Sequence, residues 1–219
     1  MDEKKRKNGM MPVSLPSLSK VVPLPLPVLT KSQVEQVMST FKSKLHSTTI
    51  LSRINNVQVT IADARHLDKN AWLNDELVNL TCEIFMDSMA SMTSRRNFFL
   101  WSSYFVSRLI DNETDSYKFE FVEHWVERNN RLSEGKISAY REFIFPINYK
   151  NSHWLMLYAN LDDKKICILD SLSDYVDMEH RQNYASGIFN WLTNYFKRDT
   201  LLAPRASTCL PVIGPRTTG

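Results

Sequence analysis

The chain has 219 residues, of which 43% are hydrophobic and 11% aromatic, so it is long and apolar enough for one domain with a sizeable core. Its five glycines lack the close spacing of a nucleotide-binding loop or a nucleophile elbow, and its three cysteines are too widely spaced for a disulfide framework or a zinc cluster. The formal net charge is +3, but residues 1–31 carry six basic and two acidic groups, which leaves −1 for residues 32–219. A nucleic-acid partner is therefore not expected.

Residues 1–29 are predicted to form a flexible leader, because they combine a basic cluster at positions 4–7 with five prolines that favour extended backbone. The basic cluster is typical of either a nuclear import signal or a solvated, charged terminus. No apolar core of a signal peptide follows it, and no apolar run reaches the length of a membrane span. We expect no membrane association.

Helical patterns dominate the first half of the body. Thr30 is a plausible N-cap for an amphipathic helix over residues 30–45, and Asn74 for a second helix that begins with two acidic residues. The segment NNVQVTIAD, residues 55–63, alternates like a strand. Residues 97–110 are predicted to be an aromatic-rich helix, whereas residues 117–129 fit either a strand or a helix.

The centre of the chain changes to three short apolar runs, EFIFPIN, HWLMLYAN and KKICILD, which predict core strands of one sheet. A helix is predicted from residue 177 onward, and Gly187 inside it indicates a close packing contact. Cys82 and Cys167 lie in apolar segments and are expected to be small buried residues of a protein in a reducing compartment. Helices around a strand cluster predict an α+β fold.

His153 opens one of these predicted strands and Asp170 closes the next. If the two strands are antiparallel neighbours, both residues lie at the same end of the sheet. A carboxylate that accepts a hydrogen bond from one imidazole nitrogen leaves the other nitrogen as a base. The pair is thus a candidate for the supporting half of a catalytic triad, although such pairs also arise by chance.

The sequence motifs around this pair resemble those of the ubiquitin-like (SUMO/sentrin-specific) cysteine protease family. The segment FPINYKNSHWLMLYANLDDKKICILDSL is similar to the family's His-Trp and Asp-Ser-Leu motifs, and WLNDELVN to its Trp-Leu-Asn-Asp motif at the head of a helix. The motifs occur in the family's order across roughly residues 30–200. The resemblance implies a papain-like fold with a mixed central sheet flanked by helices, and a domain over residues 30–202.

The resemblance implies a role for each matching residue. His153 is the general base and Asp170 its orienting carboxylate. Trp72 and Trp154 are the indoles that line a narrow passage for a Gly-Gly tail, since only residues without side chains fit between two flat rings. Asp75 resembles the family's acidic contact to a basic residue of the substrate. The alternatives are core packing for the two tryptophans and a first-turn acid for Asp75.

The chain departs from the family pattern where the nucleophile belongs. The family closes a glutamine-rich stretch with Asp-Cys-Gly some fifty residues after the aspartate, but here Thr218 stands near that position. Cys209 is the remaining candidate nucleophile, although it arrives about ten residues early and lies between Thr208 and Leu210. We expect residues 203–219 to be an irregular tail, with the catalytic domain truncated or shifted in frame near residue 200.

These observations predict a cysteine-type peptidase that cleaves after the Gly-Gly end of SUMO or another ubiquitin-like modifier, without cofactor or metal. We expect this chain to be inactive because its nucleophile is not identifiable. The alternatives are a catalytically dead module that binds ubiquitin-like proteins and a non-functional fragment that aggregates. A monomer in the nucleus, the cytoplasm or both is expected.

Overall fold

The helix predicted near the start of the body is present and begins at its predicted cap. In the computed structural model, α1 spans Lys31–Lys42. The Gln33 amide donates to Thr30 Oγ1 over 3.3 Å, while the Thr30 amide donates to Gln33 Oε1 over 2.8 Å, which is a reciprocal capping box. The helix ends before the predicted Leu45. The chain divides into two units, residues 1–39 and 40–219, and the boundary lies inside α1.

The structure describes residues 29–42, 44–68, 70–90, 98–111, 114, 116–129, 136–172 and 175–196. The predicted leader up to residue 28, the predicted tail and the candidate nucleophile Cys209 lie outside these residues. All further elements belong to the second unit.

A small antiparallel hairpin opens the second unit, with β1 at Ile50–Ile54 and β2 at Val57–Thr60. The strand prediction over residues 55–63 was right only for β2. Asn55, at φ 50°, starts the two-residue turn that joins the strands, and asparagine tolerates this left-handed conformation better than most residues. The strand pattern ends at Thr60 because its side chain caps the short helix α2, Ile61–Ala64.

Helix α3 spans Asp75–Ala90 and begins as predicted, with the Leu77 amide donating to Asn74 Oδ1 over 3.1 Å. The prediction of a single helix over residues 97–110 was wrong. Phe98–Leu100 form strand β3, and Ser102 caps the separate helix α4, Ser103–Leu109. Strand β3 owes its conformation to parallel pairing with a strand more than forty residues away, which local periodicity does not reveal.

The main sheet has four strands in the order β3-β4-β5-β6, with β4 at Glu142–Tyr149, β5 at His153–Asn160 and β6 at Lys165–Asp170. The three predicted core strands are thereby confirmed. Strand β3 runs parallel to β4 and the other pairs are antiparallel, so the sheet is mixed. The ambiguous region, residues 117–129, starts with an isolated antiparallel bridge between Tyr117 and Ile110. A 3-10 turn, Phe119–Phe121, and the short helix α5, Trp125–Arg128, follow it.

One face of this sheet is covered by helices α4 and α6, the latter at Met178–Tyr195. The contact is a cluster of aromatic rings in which Phe105 lies 4.2 Å from Trp101, 4.9 Å from Trp191 and 5.5 Å from Phe145 between ring centroids. Gly187 makes the predicted close contact, because a Cβ there would lie 2.5 Å from Ile110 Cδ1. The α+β architecture expected from the sequence is confirmed.

Candidate active site

Strand register brings the two predicted catalytic residues together at one end of the main sheet. Leu155 pairs with Asp170 across β5 and β6, so His153, two residues before Leu155, is the diagonal neighbour of Asp170 on the same face. This is the helix-covered face, which is why both side chains are only 3% exposed. The antiparallel hairpin predicted from the sequence is the element that joins them.

The pair is joined by a short hydrogen bond, with His153 Nε2 and Asp170 Oδ1 2.6 Å apart. Because a carboxylate only accepts, the imidazole carries its proton on Nε2 in this contact. Asp170 Oδ1 also accepts from the Leu172 amide over 2.9 Å. The arrangement leaves Nδ1 as the ring nitrogen that is able to take up a proton, as a general base requires.

Asp170 has a second charged partner that the sequence analysis did not identify. Arg181 Nη2 donates to Asp170 Oδ2 over 2.8 Å, and Arg181 is 4% exposed. A usable signal was present, since Arg181 precedes Tyr184, Ile188 and Trp191 at the spacing of one helix face, and all three are buried. A charged residue on an apolar face requires a buried partner of opposite charge.

Neither cysteine in the described part of the chain is placed to attack a substrate beside His153. Burial raises the pKa of the Cys82 thiol to about 12, with the charge of Glu83 acting in the same direction, so its thiolate is scarce. Cys167 is buried three residues before Asp170 on the same strand, and therefore points to the opposite face of the sheet. Both match the expectation of small buried residues.

The two predicted indoles are connected through the loop that precedes α3. Trp72 is 63% exposed in the loop before α3, which excludes core packing for this residue. Trp154, next to His153 on β5, donates from Nε1 to the carbonyl of Leu73 over 2.9 Å. A second hydrogen bond holds the loop before α3, since His66 Nδ1 donates to the carbonyl of Trp72 over 2.8 Å.

Asp75 is held by hydrogen bonds that sequence reasoning missed. Its Oδ1 accepts from Ser103 Oγ over 2.7 Å and its Oδ2 from Asn148 Nδ2 over 3.0 Å. Asn148 lies directly opposite Trp154 in the sheet, so Asp75 and Trp154 are fixed to the same pair of strands. Asp75 is also the first residue of α3, where an acid is favourable in any case.

Within the described ranges, no group of three or more His, Cys, Asp or Glu side chains is arranged to hold a metal ion. No helix there has both the length and the apolar character of a membrane span.

The family model described as "Ulp1 protease family, C-terminal catalytic domain" matches residues 71–204. The chain is 27% identical over 149 residues to ubiquitin-like-specific protease 1 of Saccharomyces cerevisiae, which covers 68% of this chain and 21% of that protein. It is 25% identical over 144 residues to ubiquitin-like-specific protease 1A of Arabidopsis thaliana, covering 65% of this chain and 28% of that protein. The chain thus spans less than a third of the length of these relatives.

Solved structures agree with the fold. The X-ray structure of the C-terminal Ulp1 protease domain in complex with Smt3, the yeast ortholog of SUMO, is 21% identical with a TM-score of 0.66. That match covers 86% of this chain and 75% of the other. The mixed sheet flanked by helices is therefore the fold of the Ulp1 catalytic domain, as the resemblance implied.

Proposed function

Because this chain belongs to the Ulp1 protease family, we propose that it is the catalytic domain of a thiol protease that cleaves after the Gly-Gly end of SUMO or another ubiquitin-like modifier. The observation that carries the proposal is the buried hydrogen bond of 2.6 Å between His153 and Asp170. A general base held in one tautomer by a carboxylate is the arrangement that thiol and serine proteases share. The reaction would release the modifier from lysine side chains or trim its precursor.

In this proposal His153 carries out the proton transfers and Asp170 supports it electrostatically. Nδ1 of His153 takes the thiol proton as sulfur attacks the carbonyl carbon of the second glycine, and it returns that proton to the amine that leaves when the thioester forms. Asp170 keeps its negative charge throughout and stabilises the imidazolium that forms in between. Water then hydrolyses the thioester and restores the thiol.

Substrate recognition is assigned to the rim beside this pair. Trp72 and Trp154 flank a passage that admits diglycine by excluding side chains, which is consistent with the exposure of Trp72 and with the bond from Trp154 to Leu73. Asp75, oriented by Ser103 and Asn148, accepts a basic residue of the modifier.

The candidate nucleophile is Cys209, which lies outside the described residues. A C-terminally electrophilic SUMO probe tests it directly, with mass spectrometry to locate any adduct. We expect little or no capture by this chain, because the Cys209 sequence context departs from the family motif. Rapid capture that disappears in Cys209→Ser would contradict the expected inactivity and identify the nucleophile.

A second candidate function is binding of a ubiquitin-like protein without turnover. It is favoured by the placement of Cys82 and Cys167, neither of which serves His153. Calorimetric titration with SUMO should then show binding that Trp154→Ala abolishes while the fold is retained. Phe121→Ala, at an exposed aromatic residue outside the site, is the matched control. Absence of binding at any workable concentration would contradict both functions. Action as a monomer in the nucleus or cytoplasm remains a prediction.

A further inference from the structure

Arg181 closes a chain of three buried polar side chains at the sheet end. Asp170 uses Oδ1 for His153 and Oδ2 for Arg181, at 2.6 Å and 2.8 Å. The side chains of His153 and Asp170 are each 3% exposed and that of Arg181 is 5% exposed. Three different elements, β5, β6 and α6, therefore meet through one carboxylate.

Asp170 and Arg181 carry opposite charges within this buried cluster. With a neutral imidazole, the charges of Asp170 and Arg181 cancel and the buried group is neutral overall. If Arg181 were absent, Asp170 would be an uncompensated buried charge, and a second proton on the ring of His153 would compensate it. A doubly protonated ring has no lone pair on Nδ1 and is unable to act as a base.

The orientation of the Asp170 carboxylate also favours a proton on Nε2 of His153. The guanidinium on Oδ2 and the Leu172 amide on Oδ1 together prevent the carboxylate from rotating, so Oδ1 stays directed at Nε2. The proton is thereby held on Nε2 and the lone pair on Nδ1.

The other titratable side chains nearby do not supply this function. The Tyr175 ring centroid lies 5.1 Å from that of His153, and its hydroxyl donates to Ser152. At the start of α6, His180 is paired with Asp177 and its ring contacts Tyr149 rather than His153.

We propose that Arg181 is a positioning residue that compensates the charge of Asp170 and so keeps His153 in the neutral form with its proton on Nε2. This inference rests on the proposed role of His153 as general base. It predicts that the ring state of His153 depends on an arginine that is hydrogen-bonded to Asp170.

The test is NMR of the full chain labelled with ¹⁵N-histidine, at a slightly alkaline pH where an ordinary histidine is neutral. His153 is assigned by the signals lost in His153→Gln. In the wild-type chain we expect an unprotonated Nδ1 and a protonated Nε2. In Arg181→Met we expect the Nδ1 signal to move into the protonated range, and in Arg181→Lys, which keeps the charge, to remain unprotonated. Arg108→Met removes an exposed arginine of α4 and should change nothing.

An unprotonated Nδ1 in a folded Arg181→Met chain would overturn the proposal, as would a protonated Nδ1 in the wild type or in Arg181→Lys. If Arg181→Met does not fold while Arg181→Lys does, the need for a positive charge beside Asp170 is supported. The spectra of the wild type and of Arg181→Lys then decide which ring nitrogen of His153 carries the proton. None of these readouts depends on SUMO, so failure of the proposed protease function would leave them unchanged.

Discussion

In the described ranges, the buried polar side chains belong to two hydrogen-bonded networks around the candidate site. In the part of the chain that is described, the buried polar or charged residues are Asn79, Ser103, His153, Asp170 and Arg181. His153, Asp170 and Arg181 form one network, while Asn79 accepts from the Ser103 amide and Ser103 donates to Asp75. Because burying a polar group is costly unless it is hydrogen-bonded, these two networks give the sheet end a defined geometry.

The Cys82 thiol is predicted to be unreactive in the native protein. Burial raises its pKa to about 12, so the thiolate that reacts with alkylating reagents is a very small fraction at neutral pH. Native labelling with iodoacetamide followed by peptide mass spectrometry should leave Cys82 unmodified, and labelling in denaturant should modify it fully. Rapid native modification of Cys82 would show that α3 opens readily.

Asp63 is predicted to stabilise the fold at neutral pH and to lose this effect in acid. Although burial opposes the shift, hydrogen bonds from the Thr60 side chain and amide and from Asn74 lower the pKa of Asp63. A lowered pKa in the folded state means that the stabilisation is complete above the ordinary value of about 3.9 and disappears as the pH falls through the folded value.

Asp63→Asn should therefore cost about 1 kcal/mol of unfolding free energy at pH 7 and clearly less at pH 3, as measured by urea denaturation. Asp68→Asn, at an exposed acid in the same region, is the control. An equal loss at both pH values would mean that shape rather than charge is responsible.

At the scale of helices and strands, α6 packs closely against Ile110 because Gly187 has no side chain. Gly187→Ala adds a Cβ 2.5 Å from Cδ1 of the buried Ile110, an overpacking that costs about 1–3 kcal/mol. The gain in helix propensity returns only about 1 kcal/mol. We expect a net loss of up to about 2 kcal/mol by chemical denaturation.

The partner substitution makes this prediction specific. Ile110→Val removes Cδ1 but keeps Cγ1, which would lie 2.8 Å from the added Cβ. It should therefore cost stability in the wild type and cost less in the Gly187→Ala background. Ser186→Ala, at an exposed neighbour on the same helix, should be neutral or slightly stabilising. Additive effects of the Gly187 and Ile110 substitutions would refute the proposed contact.

Across the second unit, one aromatic core connects the sheet with both covering helices. Phe105 is fully buried and contacts the rings of Trp101, Phe145, Trp191 and Trp125. Phe105→Ala should cost about 3–5 kcal/mol, a large part of the stability of a typical domain.

Since the core is shared, tryptophan fluorescence and far-ultraviolet circular dichroism should report the same midpoint, shifted equally in the variant. Phe121→Ala, at an exposed ring, should shift it little. Two separate transitions would indicate that the sheet and the helices do not unfold as one unit.

Local sequence patterns were sufficient for most elements and for the central pair of the site. Thr30 and Asn74 cap the helices as expected, because a cap depends on residues only three positions away. The placement of His153 beside Asp170 was also predictable, since a short hairpin between two apolar strands leaves one antiparallel arrangement.

Tertiary structure alone decided the contacts that span long stretches of chain. The sequence of Phe98–Leu100 is also compatible with a helix, and these residues form strand β3 because they pair with β4. Asp75 meets Ser103 across 28 positions and Asn148 across 73, and no periodicity encodes which donors a carboxylate will find at such distances. Arg181 joins Asp170 because α6 packs onto β6. The sequence by itself thus determined the elements and the His153–Asp170 pair, whereas packing between distant elements determined the partners that hold the pair in place.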